Sequence, residues 1–257
     1  MVYKYNLKRD TSDPRDFRFS RSMPVHPDVV LPKSVDLKQK CPPVYDQGKL
    51  GSCTANVGCT CRAMLLDEKD INLSRLFLYY IERNFEESVK EDSGASLRDC
   101  CKSIYKIGVC EEKYMPYDED DFKTPPSKRA VLNAFKYRIS AYKLLSNLDE
   151  IKQNLALRQQ PVMIGMDVYE SFESHDTAKT GLMPMPGKNE KKLGGHAVLI
   201  VGYKDIVRTS GFFTKHQDKS GYLIVRNSWG DKWGDKGYFY MPYEYIPKNT
   251  YDYWIME

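Results

Sequence analysis

Hydrophobic positions along the chain change their period twice, and the changes divide it into three stretches. Residues 1–30 are rich in charge and proline and carry little periodicity, the pattern of an extended arm lying on the surface of a fold. Between Thr54 and Asp67 there is no proline and one glycine, and Ala55, Cys59, Ala63 and Leu66 recur at helical spacing. A helix is predicted there, with Ser52 as its N-cap and Cys53 in its first turn. Leu73, Leu76, Phe77, Tyr80 and Ile81 form an i, i+3, i+4 stripe that predicts a second core helix. Ser93-Gly94-Ala95-Ser96 reads as a loop and N-cap ahead of a third, from about Leu97 to Lys106, stopped by Gly108.

Beyond Tyr114-Met-Pro-Tyr117 and an acidic run to Pro126, which mark a crossover, the pattern turns to short β-prone segments after about Arg138. An amphipathic helix around Leu148–Leu157 is halted by Gln160-Pro161. Val162–Val168, the apolar run after His196, and the segment leading into Asn227 read as strands. Gly165, inside the first of these, marks a place where something approaches the backbone closely. The expected organisation is α+β: an arm over 1–30, a mainly helical part over 31–137 and a mainly β part over 138–257.

At 257 residues with 41% hydrophobic side chains, the chain is long and apolar enough to bury a core, either as one large domain or as two lobes sharing a cleft. The net charge of +4 comes from scattered basic and acidic residues, so no nucleic-acid partner is expected. The longest apolar run, Ala197 to Gly202, is far short of the ~20 residues of a membrane span. The first ten residues lack the apolar core of a secretory signal, which favours the cytoplasm, with a secreted or lysosome-like location left open. On the same argument the seven cysteines are expected as free thiols. Cys59-Thr-Cys61 and Cys100-Cys101 do not have metal-ligand spacing, and no metal or cofactor is expected.

The candidate chemistry begins at Cys53. Gln47-Gly-Lys-Leu-Gly-Ser-Cys53 runs from a glycine-punctuated loop into the first predicted helix, where free N–H groups and the positive end of the helix dipole favour a thiolate. Gly194-Gly195-His196-Ala-Val puts a histidine at the mouth of a strand, and Asn227-Ser-Trp-Gly puts a carboxamide at the end of another.

In that order, these motifs resemble the papain-like cysteine peptidases, the cathepsin relatives. His196 lies 143 residues after Cys53, within the usual ~130–150, whereas Asn227 lies 174 after it, which implies a long hairpin insertion between Lys204 and Ser220. The match is divergent: Leu50-Gly-Ser-Cys53-Thr54 lacks both the aromatic residue after the nucleophile and the cysteine three residues before it. The resemblance implies a two-lobed fold with a helical lobe, a β-barrel-like lobe and the active site in the cleft between them. Cys53 would then be the nucleophile, His196 the base and acid, Asn227 the group that orients the imidazole, and the Gln47 amide with the Cys53 N–H the oxyanion hole. Gly94 and Ala95 would form a wall of the substrate groove, Gly165 and Gly195 would line it, and Trp229 would shield the His–Asn bond.

The same resemblance implies a protein or peptide substrate, a monomer, and an inhibitory N-terminal segment, here unusually short, with Phe17, Phe19 and Met23 as residues that would reach across the site. Leu31-Pro-Lys-Ser-Val-Asp-Leu37 reads as the start of the mature domain. His175 falls in a polar loop, and neither His26 nor His216 resembles the paired histidines of an exopeptidase occluding loop, so an endopeptidase is expected. Two other readings share the motifs: a catalytically silent peptide-binding homologue, and an acyl-transferring enzyme in which an amine replaces water.

Overall fold

A helix that begins at Cys53 lies against the central strands of a seven-stranded antiparallel sheet, and this contact positions everything else. The computed structural model describes residues 3–22, 29–66, 68, 70–206 and 220–257. In chain order the elements are α1 (Phe19–Ser22), β1 (Ser34–Asp36), α2 (Cys53–Leu66), α3 (Arg75–Phe85), α4 (Leu97–Lys106), α5 (Lys128–Ala134), β2 (Tyr142–Leu145), α6 (Leu148–Gln153), β3 (Val162–Tyr169), α7 (His175–Thr180), β4 (Lys192–Asp205), β5 (Gly221–Arg226), β6 (Tyr238–Pro242), α8 (Ile246–Asn249) and β7 (Thr250–Met256).

The helices follow their local signals. Side chains on nearly every face of α2 are buried, and they are mostly small, so α3 and α4 can pack close against it. Ser74 caps α3 by accepting from the Phe77 N–H, and Ser96 caps α4 by accepting from the Asp99 N–H. At the far end of α4 the Gly108 N–H returns to the Ser103 carbonyl. The helix expected up to Leu157 is α6 followed by a π-turn over Asn154–Arg158, ended by the left-handed Gln159 ahead of Pro161.

The sheet runs β2-β7-β3-β4-β5-β6, with β1 added to the far end of β4. Fourteen-residue β4 is its spine: the segment Lys192–Ile200 pairs with β3, and Leu199–Asp205 pairs with β5. Among the described strands β2 and β6 do not pair, so the α+β fold carries an open sheet where a barrel-like lobe was expected. The hairpin between β4 and β5 closes with the Ile206 N–H on Ser220 O at 2.9 Å; the body of the expected insertion, with His216, lies outside the described residues. His175 is the first residue of α7, capped by Ser174, and not part of a loop. No helix among the described residues is long and apolar enough to cross a membrane, and all seven cysteines are free.

Residues 3–22 of the N-terminal arm are threaded into the fold. Phe17 and Phe19 do not cross the active site: the Phe17 carbonyl accepts from Leu144 N–H on β2, the Phe17 ring is exposed, and Phe19 is buried in α1. Their distance from the site follows from a bidentate anchor upstream, where Arg98 of α4 holds both oxygens of Asp16 at 3.0 and 2.6 Å. Met23 and His26 lie outside the described residues.

Candidate active site

Three segments distant in sequence meet where α2 starts beside β4. The Ser52 carbonyl accepts the Asn56 N–H and so begins α2, while the Ser52 hydroxyl is taken up by Tyr117 at 2.7 Å and by Asn56, not by a helix N–H. This anchors the turn that presents Cys53. The buried Cys53 sulfur lies where the backbone N–H of Ala197, one residue after His196, favours its anion.

His196 is wholly buried, and its Nε2 lies 2.8 Å from Asn227 Oδ1. The Ser228 N–H donates to that same oxygen at 2.9 Å. An oxygen already receiving a backbone N–H can only accept, so Nε2 carries the ring proton and the neutral ring leaves Nδ1 as a bare lone pair. Nδ1 is buried without a hydrogen-bond partner. The Trp229 ring lies over the imidazole, with centroids 5.2 Å apart and planes 24° from parallel.

Gln47 is tied into the same set. Its Oε1 accepts from Ser228 Oγ at 2.6 Å, its own N–H donates to Ser228 O, and its Nε2 donates to Leu50 O at 3.0 Å. A carboxamide has two N–H donors, so one remains for a ligand. Ser228 therefore couples Gln47 to Asn227. Sequence reasoning passed over it, although its place inside Asn-Ser-Trp was the available signal.

Beneath α2, Glu82 is fully buried and its Oε2 accepts from Thr54 Oγ1 at 2.7 Å. Burial pushes its carboxyl up to about 8, which keeps it uncharged at neutral pH.

The residues expected along the groove are lined by the arm. Lys8 N–H donates to Ala95 O at 3.1 Å, and Leu7 N–H donates to Gly195 O at 3.2 Å. Asn6 and Lys8 form parallel bridges with Gly195 and Ser96. At Gly94, with φ +69°, a Cβ would sit 2.0 Å from the Asn6 carbonyl oxygen, so the wall needs glycine both for its conformation and for the close approach. At Gly165 a Cβ would meet the Tyr251 ring and the Leu7 side chain, so this strand glycine opens a hollow that Leu7 enters. Tyr3 stacks on Trp229, and Tyr5 stands edge-on to His196 with its hydroxyl bonded to Glu173.

This cover reverses the ionisation expected for Cys53. Burial pushes the thiol up to about 12 and His196 down to about 4, with the Asn227 bond opposing the latter in part. With the arm in place the pair is neutral thiol and neutral imidazole. The pull of the helix terminus on the thiolate is outweighed by the loss of water.

A helical layer and an antiparallel sheet, with a thiol on a helix start beside a buried His–Asn pair, is the architecture of a cysteine protease. The profile of the papain family cysteine proteases matches residues 31–254, and the chain belongs to that family. It is a papain-like cysteine peptidase. A peptidase C1-like protein of Acanthamoeba polyphaga mimivirus is 40% identical over 242 residues, covering 88% of this chain and 73% of the viral one. Procathepsin L of Mus musculus is 28% identical over 222 residues, and the match spans 59% of its length. Among solved structures, xylellain, a cysteine protease from Xylella fastidiosa, superposes with a TM-score of 0.83 at 35% identity, over 98% of this chain and 95% of that one.

Proposed function

We propose that the chain is a cysteine endopeptidase that works through a Cys53 thioester and rests with its groove filled by its own arm. The observation that carries the reading is the shared Asn227 oxygen, which fixes the His196 proton on Nε2 and leaves Nδ1 free to act as a base. Once the arm leaves, water returns and the burial that holds the pair neutral is relieved. The Cys53 proton passes to Nδ1, and thiolate and imidazolium then stabilise each other, helped by the Ala197 N–H.

The thiolate attacks the carbonyl carbon of a peptide bond, and the electron pair of the C=O moves to oxygen. The Cys53 N–H and the second Nε2 hydrogen of Gln47 are the donors for that oxyanion, each worth roughly 10²–10³ in rate by analogy with similar sites. As the tetrahedral adduct collapses, the C–N bond breaks and His196 Nδ1–H protonates the departing amine. Water, deprotonated by His196, then hydrolyses the thioester and restores the thiol. Trp229 over the imidazole keeps water from the His–Asn bond and so strengthens it.

The test is a peptide vinyl sulfone added to the full chain carrying Tyr3→Ala and Tyr5→Ala, which opens the groove, followed by intact mass and peptide mapping. A single adduct on Cys53 that is lost in His196→Ala, together with cleavage of internal peptide bonds, supports the reading. Peptide binding without an adduct would point to the silent homologue, and product release that depends on added amine to the acyl transferase.

A further inference from the structure

Between Tyr5 and Arg9 the arm is extended, and its side chains alternate between the two walls of the groove. Asn6 and Lys8 turn to the helical side, where Asn6 Nδ2 donates to Asp92 O and Lys8 pairs with Glu86. Tyr5, Leu7 and Arg9 turn to the sheet, meeting Glu173, the hollow at Gly165, and Asp167 respectively. An extended peptide held by the same Gly195 and Ala95 carbonyls presents its own alternate side chains to the same fixtures.

The last of these is a built receptor for a cation. Asp167 stands on β3 opposite Gly195, in a strand otherwise apolar, and it is 6% exposed. Arg9 Nη2 lies 2.9 and 3.0 Å from its two oxygens, although Lys192 already contacts one of them at 2.7 Å. The same guanidinium lies 4.0 Å above the centre of the Tyr251 ring, on β7, the ring that also borders the Gly165 hollow. Carboxylate and aromatic face both belong to the rigid sheet, not to the arm. We propose that Asp167 and Tyr251 form a substrate subsite for a basic side chain, two residues along the peptide from an apolar one seated at Gly165, and that Arg9 fills it as a surrogate in the resting chain. The proposal rests on the peptidase reading for its meaning but not for its test.

The outer side of Arg9 is open to solvent, so the preference is modest, on the order of five- to tenfold. The test uses the full chain carrying Leu7→Ala and Arg9→Ala, to unseat the arm, with Cys53→Ala to prevent turnover. Fluorescence anisotropy is read with labelled hexapeptides containing leucine and, two positions away on either side, arginine or norleucine. The arginine peptides are expected to bind five- to tenfold more tightly. Adding Asp167→Asn brings the two within about twofold and leaves norleucine binding unchanged. Tyr251→Phe, which keeps the ring, retains the preference, and Tyr251→Leu reduces it. Equal affinities at the start, a preference that survives Asp167→Asn, or no binding of either peptide overturns the subsite. If the Leu7→Ala/Arg9→Ala chain with Cys53 intact never takes up a peptide vinyl sulfone while its Cys53→Ala form shows the preference, the peptidase reading falls and the subsite stands.

Discussion

Tyr3 lies flat on Trp229, ring centroids 4.1 Å apart and planes 6° from parallel, on the indole that also lies over His196. A residue near the start of the chain thus contacts the aromatic cover of His196. Such a stack contributes about 0.5–1.5 kcal/mol beyond its buried area. Tyr3→Ala in the full chain is therefore expected to raise the initial rate of peptide hydrolysis roughly two- to tenfold, and Tyr3→Ala with Tyr5→Ala by more. A rate unchanged in the double variant would remove the arm as an inhibitor.

Asn227→Ala takes away the acceptor that fixes the imidazole tautomer. We expect kcat to fall by about 10²-fold with KM little changed, since the carboxamide does not line the groove. Gln47→Ala is expected to cost a similar factor. It also leaves the buried Ser228 hydroxyl without its acceptor, which lowers stability by about 1–3 kcal/mol. Steady-state kinetics beside thermal melts separate the two effects; a loss of kcat/KM carried by KM alone would contradict both roles.

With Cys53 raised to about 12 and His196 lowered to about 4, the resting pair stays neutral throughout the intervening range. Alkylation of Cys53 by iodoacetamide should be slow in the intact chain at pH 5 to 9, with no thiolate plateau in that window. In Tyr3→Ala/Tyr5→Ala a plateau should appear as the ion pair forms. A plateau of equal height in both proteins would mean that the arm does not control the ionisation.

Glu82 gives a prediction about stability. Its folded-state value, raised by burial from 4.5 to about 8, means that the unfolded chain loses the proton first as pH rises. The stability this group contributes is complete below about pH 4.5 and declines until pH passes about 8. Glu82→Gln keeps an uncharged partner for Thr54 at every pH. Its melting temperature relative to the parent should therefore be more favourable at pH 8.5 than at pH 5, and a pH-independent difference would refute the assignment.

Short-range chemistry made much of the site legible in the sequence. Helix ends at Ser74, Ser96 and Gly108 are dictated by local hydrogen bonding, Cys53 opens α2 and Asn227 directly follows β5, whereas His196 lies inside β4, four residues past its first residue and not at the strand start that its glycines suggest. Which residues of the arm reach the groove is not legible, because an extended segment docks through alternate single residues, a pattern too short to stand out from its polar surroundings. Phe17 and Phe19 are the bulkier apolar residues, yet Tyr3, Tyr5 and Leu7 are the ones that dock. Asp167 was absorbed into Val162-Met-Ile-Gly-Met-Asp-Val168 as part of a buried strand, although a lone carboxylate in such a run needs a cation. The thiol's ionisation was misjudged for a different reason: a helix terminus is a local property, whereas water exclusion depends on what covers it.

Leu7 and Gly195 are bonded across the groove yet belong to one polypeptide, so their encounter is set by the tether and not by how much protein is present. Effective concentrations for such tethered contacts reach the millimolar range. Dilution therefore leaves the resting chain as it is. A single break in the connection between arm and body turns the plug into an ordinary ligand, free to be washed away or displaced by the first peptide that competes for the same carbonyls.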